Sequence, residues 1–215
     1  MSENVRFALY LAAALLPSLV LHELAHSFAA VGLGDPSPRR WGRLTLNPKP
    51  IIDPLGSIIL PALALILIAS GSGFLLPVFA YAKPMAIDPS YLRNRRRDLT
   101  IVVLAGLGAN LALAAIAGLG LRFGMTGEGG LVLYAILLVN VYMFAYQLMP
   151  VPGLDGSKLL APVLPPRARE VYMNLDPYLP LFILVLFFVL AAPLVSIADA
   201  IAGLVCDVVA GPGVC

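Results

Sequence analysis

The feature that most limits how this chain can fold is a series of apolar stretches, each longer than a small globular core can hide. They lie at about residues 5–33, 99–121, 131–149 and 178–209, with a fifth at 54–80 broken by Gly71, Ser72 and Gly73. A spanning helix needs about 20 apolar residues, and all but the broken stretch meet that length without a gap. Composition agrees. The chain is 60% hydrophobic and 12% charged, against about half and about a quarter for an ordinary soluble domain. A soluble chain of 215 residues has too little interior for so much apolar surface. The expected class is an all-α polytopic membrane protein with about five membrane segments, forming one integral-membrane domain over residues 1–215. Residues 7–21 run directly into the polar motif described below, so they are read as a retained first helix rather than a cleaved leader.

The basic residues decide topology rather than partner. A net charge of +2 gives no reason to expect nucleic acid. The loops at 81–98 and 150–177 are both basic and are separated by two spans, so both belong on the cytoplasmic side. The loop at 34–53 is basic as well. A single crossing by residues 54–80 would put one of its flanking basic loops outside. The conflict disappears if 54–80 enters the bilayer and returns. Residues 54–70 can form only about 25 Å of helix at about 1.5 Å per residue, and 74–82 is rich in β-formers. The expectation is a re-entrant or short β-hairpin element lining a wet cavity, where irregular backbone at membrane depth is tolerated. The two cysteines, Cys206 and Cys215, admit two readings: free thiols, or a small terminal disulfide on an oxidising face.

The chemistry sits in the first apolar stretch. His22, Glu23 and His26 form H-E-x-x-H. On a helix, positions four apart share a face, so both imidazoles can bind one zinc ion, with Glu23 beside it to take a proton from bound water. Two unrelated histidines could share this spacing. However, they are the only histidines in the chain, and ionisable groups inside an apolar span are expensive and usually functional. A catalytic zinc takes three protein ligands and leaves one position for water. With no third histidine and no well-placed cysteine, the third ligand should be a carboxylate. Asp155, just after the fourth stretch, is best placed by depth, although an Asp-Gly pair is also a common turn. Asp35, Asp53, Asp88 and Asp176 compete from hydrophilic loops.

These residues carry a resemblance. HELAHSFAA at 22–30 and the LDG around Asp155 resemble the paired motifs of the site-2 protease family of intramembrane zinc metalloproteases. So do GDPSPRRWGRLTLNP at 34–48, FAYAKPM at 79–85 and AGLGANL at 105–111. Together they cover a core of about residues 5–160. Their order is similar to that of the compact prokaryotic branch without PDZ or CBS domains. The C-terminal transmembrane helix at 178–209 carries no such motif. Two positions depart from the pattern: Leu107 where the family commonly has proline, and Gln147 where it commonly has asparagine.

The resemblance implies one zinc ion per chain held by His22, His26 and Asp155, with Glu23 as catalytic acid and base. It implies that Asn110, which alone would read as a polar helix-packing residue, binds the substrate carbonyl or steadies the oxyanion. It implies that the segment containing Phe79, Tyr81 and Lys83 receives unwound substrate by edge pairing. The expected partners are a transmembrane protein or peptide substrate and membrane lipids. The expected place is a prokaryotic inner or plasma membrane, with the active site toward the cytoplasm. Two other readings use the same histidines: a membrane metal carrier or sensor, and an inactive relative that binds membrane helices. A transporter should show repeated halves, which the chain lacks, and binding alone does not need Glu23.

Overall fold

The computed structural model describes residues 2–71, 80–83, 87–178, 182 and 191–214. Among these it is built from helices and turns, with one isolated antiparallel bridge, Ile52 to Ala82, and no strand. The helices are α1 (Glu3–Gly32), α2 (Ser37–Arg40), α3 (Leu60–Ala69), α4 (Arg95–Arg122), α5 (Gly127–Leu148), α6 (Asp155–Leu160), α7 (Pro166–Met173) and α8 (Ala191–Val209). Three of them, α1, α4 and α5, are long and apolar enough to cross a membrane. They pack against one another and form the centre of the molecule. Helix α3 lies on α1, α8 lies on α5 and α4, and the short α6 tucks between α4 and α5.

Helix boundaries follow local chemistry. Ser2 caps α1 by accepting from the Val5 N–H at 3.4 Å. Pro17 lies inside α1 and cannot donate to the turn before it. The Ser18 hydroxyl donates to the Ala14 carbonyl at 2.8 Å in the same stretch. Helix α4 begins earlier than its apolar run. Asn94 accepts from the Arg97 N–H, and Asp98 reaches back to accept from the Asn94 N–H at 2.9 Å. This reciprocal cap satisfies orphan donors at the helix start. It places Arg95, Arg96 and Arg97 in the first turn of α4 rather than in the loop that the charge pattern suggested.

The ends of the broken apolar stretch meet. The Lys83 N–H donates to the Ile51 carbonyl at 2.9 Å, and the Tyr81 N–H donates to the Gly56 carbonyl. Residues 54–59 form a π-helical turn, capped by the Asp53 carboxylate, which accepts from the Leu55 and Gly56 N–H groups. The chain therefore leaves and returns at one place, and 54–80 does not run once across the molecule. Residues 72–79, which include the expected extended return and Phe79, lie outside the described residues. So do 179–181 and 183–190 of the expected last helix, of which 191–209 is α8. Cys206 is disulfide-bonded, which favours the terminal disulfide. The chain's other cysteine, Cys215, lies outside the described residues.

Candidate metal centre

His22, Glu23 and His26 are all buried on α1. Their rings and carboxylate each offer one ligand atom, and these atoms lie within 4.8 Å of one another. The two imidazoles meet edge to face, with Nε2 atoms 2.9 Å apart. Asp155 Oδ2 lies 2.9 Å from His26 Nε2 and 3.1 Å from His22 Nε2. Three donor atoms thus form a nearly equilateral triangle. Ligands about 2.0–2.1 Å from a tetrahedral zinc are about 3.3 Å from one another, so the cluster fits zinc with a small expansion. Charge fits too. A bound dication would compensate carboxylates packed out of water, where uncompensated charge is strongly destabilising.

Two of the three clustered side chains are aimed by something behind them. His26 Nδ1 lies 2.8 Å from the Val102 carbonyl. With Nδ1–H donating there, Nε2 is left as the free acceptor. Helix α4 can come that close because position 106 is glycine. A Cβ at Gly106 would sit 2.2 Å from His26 Nε2 and Cε1. Asp155 opens α6, directly after a sharp turn with Gly153 at φ +90°. The next residue, Gly156, lies so near the end of α5 that a Cβ there would stand 2.1 Å from the Leu148 carbonyl oxygen. Lys158 Nζ is 3.7 Å from Asp155 Oδ1, the oxygen turned away from the histidines.

The polar stretch after α6 clamps this turn from outside. The Gly153 N–H donates to Asp176 Oδ1 at 2.8 Å, and the Tyr172 hydroxyl donates to the Pro150 carbonyl at 2.7 Å. Burial and the nearby Asp176 charge push the Tyr172 hydroxyl up, which keeps it a donor. The carboxylates that competed with Asp155 are committed elsewhere. Asp35 accepts from the Ser37 and Asp88 N–H groups, Asp53 caps the π-helical turn, and Asp176 holds Gly153. Ser90 holds the Asp88 carboxyl below its ordinary value.

Asn110 is fully buried on α4, one turn beyond Gly106 and two beyond Val102. Neither polar atom of its side chain has a hydrogen-bond partner among the described residues. Tyr81 and Lys83 lie in the segment paired with residues 51–56. Burial and the Asp53 charge push the Tyr81 hydroxyl up to about 12. Backbone groups of Tyr81 and Lys83 face the partner segment. Extended backbone alternates, so the N–H and C=O of Ala82, a buried residue, point away from residues 51–56.

Sequence reasoning passed over several of these residues. Asn140 is fully buried on α5. Its signal was available, because it is an amide in the middle of an apolar run and polar groups there are expensive. Asp176 was read only as a competing ligand, and nothing in the sequence marks it as the acceptor for Gly153. The Val102 carbonyl is backbone and leaves no signature.

No family model matches the chain, and no solved structure matches it. Curated relatives do. The protein named "Putative zinc metalloprotease YwhC" of Bacillus subtilis is 32% identical over 188 residues, covering 83% of this chain and 80% of that one. "Putative zinc metalloprotease Rip2" of Mycobacterium tuberculosis is 33% identical over 180 residues, 80% of this chain and 64% of that protein. Its Mycolicibacterium smegmatis counterpart is 34% identical over 160 residues, 72% and 57%. The chain thus spans less than two thirds of the two mycobacterial relatives.

Proposed function

The chain belongs to the site-2 protease family, and on that premise we propose that it is a zinc-dependent endopeptidase cleaving transmembrane segments of other membrane proteins. One observation carries the proposal: His22, His26 and Asp155 bring three ligand atoms within 3.1 Å of each other, beside Glu23, on a helix fit to span a bilayer.

When bound by these three residues, zinc supplies a Lewis acid that polarises the scissile carbonyl and lowers the pKa of a bound water toward about 7. Glu23 takes the proton from the attacking water as its oxygen bonds to the carbonyl carbon. The same carboxyl then delivers that proton to the nitrogen as the C–N bond breaks. Asn110 directs its amide N–H toward the charge that develops on the carbonyl oxygen, where a fixed donor is most effective. The substrate helix must first unwind, because its carbonyls are engaged in i→i−4 bonds. The segment that contains Phe79, Tyr81 and Lys83 receives the unwound strand by backbone pairing. Residues 54–80 re-enter the bilayer from the cytoplasmic side. The basic loops hold anionic lipid head groups there, and water reaches the site from that face of a prokaryotic plasma membrane.

The test compares wild type with Glu23→Gln on a panel of single-span substrates, with zinc measured in both. The variant should keep zinc and lose cleavage. Full activity in the variant would remove Glu23 from the mechanism.

A further inference from the structure

His22 lacks what His26 has. His26 Nδ1 is held by the Val102 carbonyl, whereas His22 Nδ1 is buried with no hydrogen-bond partner among the described residues. A metal-ligating histidine nearly always donates its other ring N–H to an acceptor, which fixes the ring's tautomer and orientation. Two buried acceptors near the centre are likewise unmatched among the described residues, Asn110 Oδ1 on α4 and Asn140 Oδ1 on α5, and of the two Asn140 is the one bonded to the helix that carries His22, through Ser18.

The placement of Asn140 is tightly determined. Both of its amide N–H bonds are used, one to Ser18 Oγ at 2.9 Å and one to the Ile136 carbonyl at 2.8 Å. An amide has two donors and one acceptor oxygen, so these bonds leave Oδ1 needing a donor. Ser18 lies one helical turn before His22, and residues four apart on a helix have Cβ atoms about 5–6 Å apart. A helical side chain leans back over the turn N-terminal to its own Cα, so the His22 ring leans toward the turn that holds Asn140. The flanking residues Val139 and Met143 on α5 pack in one cluster with Leu15 and Leu19 on α1. Apolar groups thus wall in the pair. A buried acceptor and a buried donor left apart there would each lose on the order of 1–3 kcal/mol.

We infer that Asn140 is a positioning residue for the metal centre: its Oδ1, through one buried water, accepts the Nδ1–H of His22 and leaves His22 Nε2 free as a ligand. This inference rests on the proposed zinc site.

The experiment uses the full chain in lipid nanodiscs. Zinc affinity is measured by chelator competition, and the His22 ring is read by ¹⁵N NMR in the metal-free protein. Asn140→Leu removes the acceptor, Asn140→Asp keeps one, and Ser18→Ala removes the interhelical bond while leaving Oδ1 in place. Asn140→Leu should weaken zinc binding by about 10–100-fold, the usual size for a lost outer-shell partner. Asn140→Asp should stay close to wild type, and Ser18→Ala should lower the melting temperature more than the zinc affinity. Wild-type zinc affinity in Asn140→Leu would overturn the inference and leave the protease reading intact. So would an equal loss in Ser18→Ala, which would reduce Asn140 to helix packing. If Asn140→Leu fails to fold, the NMR spectrum decides: a proton on Nδ1 of wild-type His22 supports the inference, and a bare Nδ1 overturns it. A wild-type chain that binds no zinc would sink the protease reading instead, and the NMR readout would still judge the Asn140 contact.

Discussion

The helical core around His22 and the segment from residue 51 to residue 83 are held in different ways. In the core, α1, α4 and α5 touch along their lengths, and ligand side chains are backed by a carbonyl, a lysine or a close glycine contact. The segment packs α3 on one side of α1 and is tied by hydrogen bonds at its base, where Lys83, Tyr81 and Ser57 bond across to Ile51, Gly56 and Tyr81. The difference separates two tasks. Metal chemistry needs ligand positions held to within about 0.5 Å. Receiving an unwound peptide needs an edge with free backbone groups, which a fully packed segment does not have.

Substitutions on the two sides should therefore fail differently. Gly106→Val should be the most damaging. Its Cβ would stand 2.2 Å from His26 Nε2, so α4 and α1 must separate or the ring must turn. Zinc content by elemental analysis should fall far below one per chain, with activity falling alongside it. Asp176→Ala should come next. It leaves the part-buried Gly153 N–H without its acceptor, a loss of about 1 kcal/mol, and kcat should fall while the Asp155 turn loosens. Gly56→Ala tests the other region. Its Cβ would meet the buried Tyr81 ring at 2.5 Å, so that ring and its segment must shift. KM should rise with zinc content unchanged. A loss of zinc in Gly56→Ala would erase the distinction between the two regions. Arg6→Gln should do least. The Arg6–Glu128 pair is 2.7 Å long but exposed, and such pairs contribute about 0–1 kcal/mol, so the melting temperature should barely move.

What could be read from the sequence follows from how local each signal is. His22, Glu23 and His26 lie within five residues, so helical geometry alone brings them together. Asp155 was legible because α5 returns the chain to the depth at which α1 carries its histidines. The return of residues 54–80 was legible through its flanking charges. Asn140 was not, since its meaning depends on Ser18, 122 residues away. The start of α4 was misjudged because charge was weighed above capping. Four arginines near residue 95 suggest a loop, yet Asn94 and Asp98 close a helix around three of them.

The distance along the chain between His26 and Asp155, 129 residues, has a consequence for biogenesis. A ribosome adds about 5–20 residues per second, so Asp155 emerges roughly 6–26 seconds after His26. Through that interval the first helix can already be in the membrane with two of the three clustered atoms and nothing to close the triangle. The cluster is completed only after α4 and α5 have been made and α6 has folded against them. A nascent chain thus carries an incomplete centre past its membrane neighbours, and order of synthesis alone delays its assembly until the helices that enclose it are present.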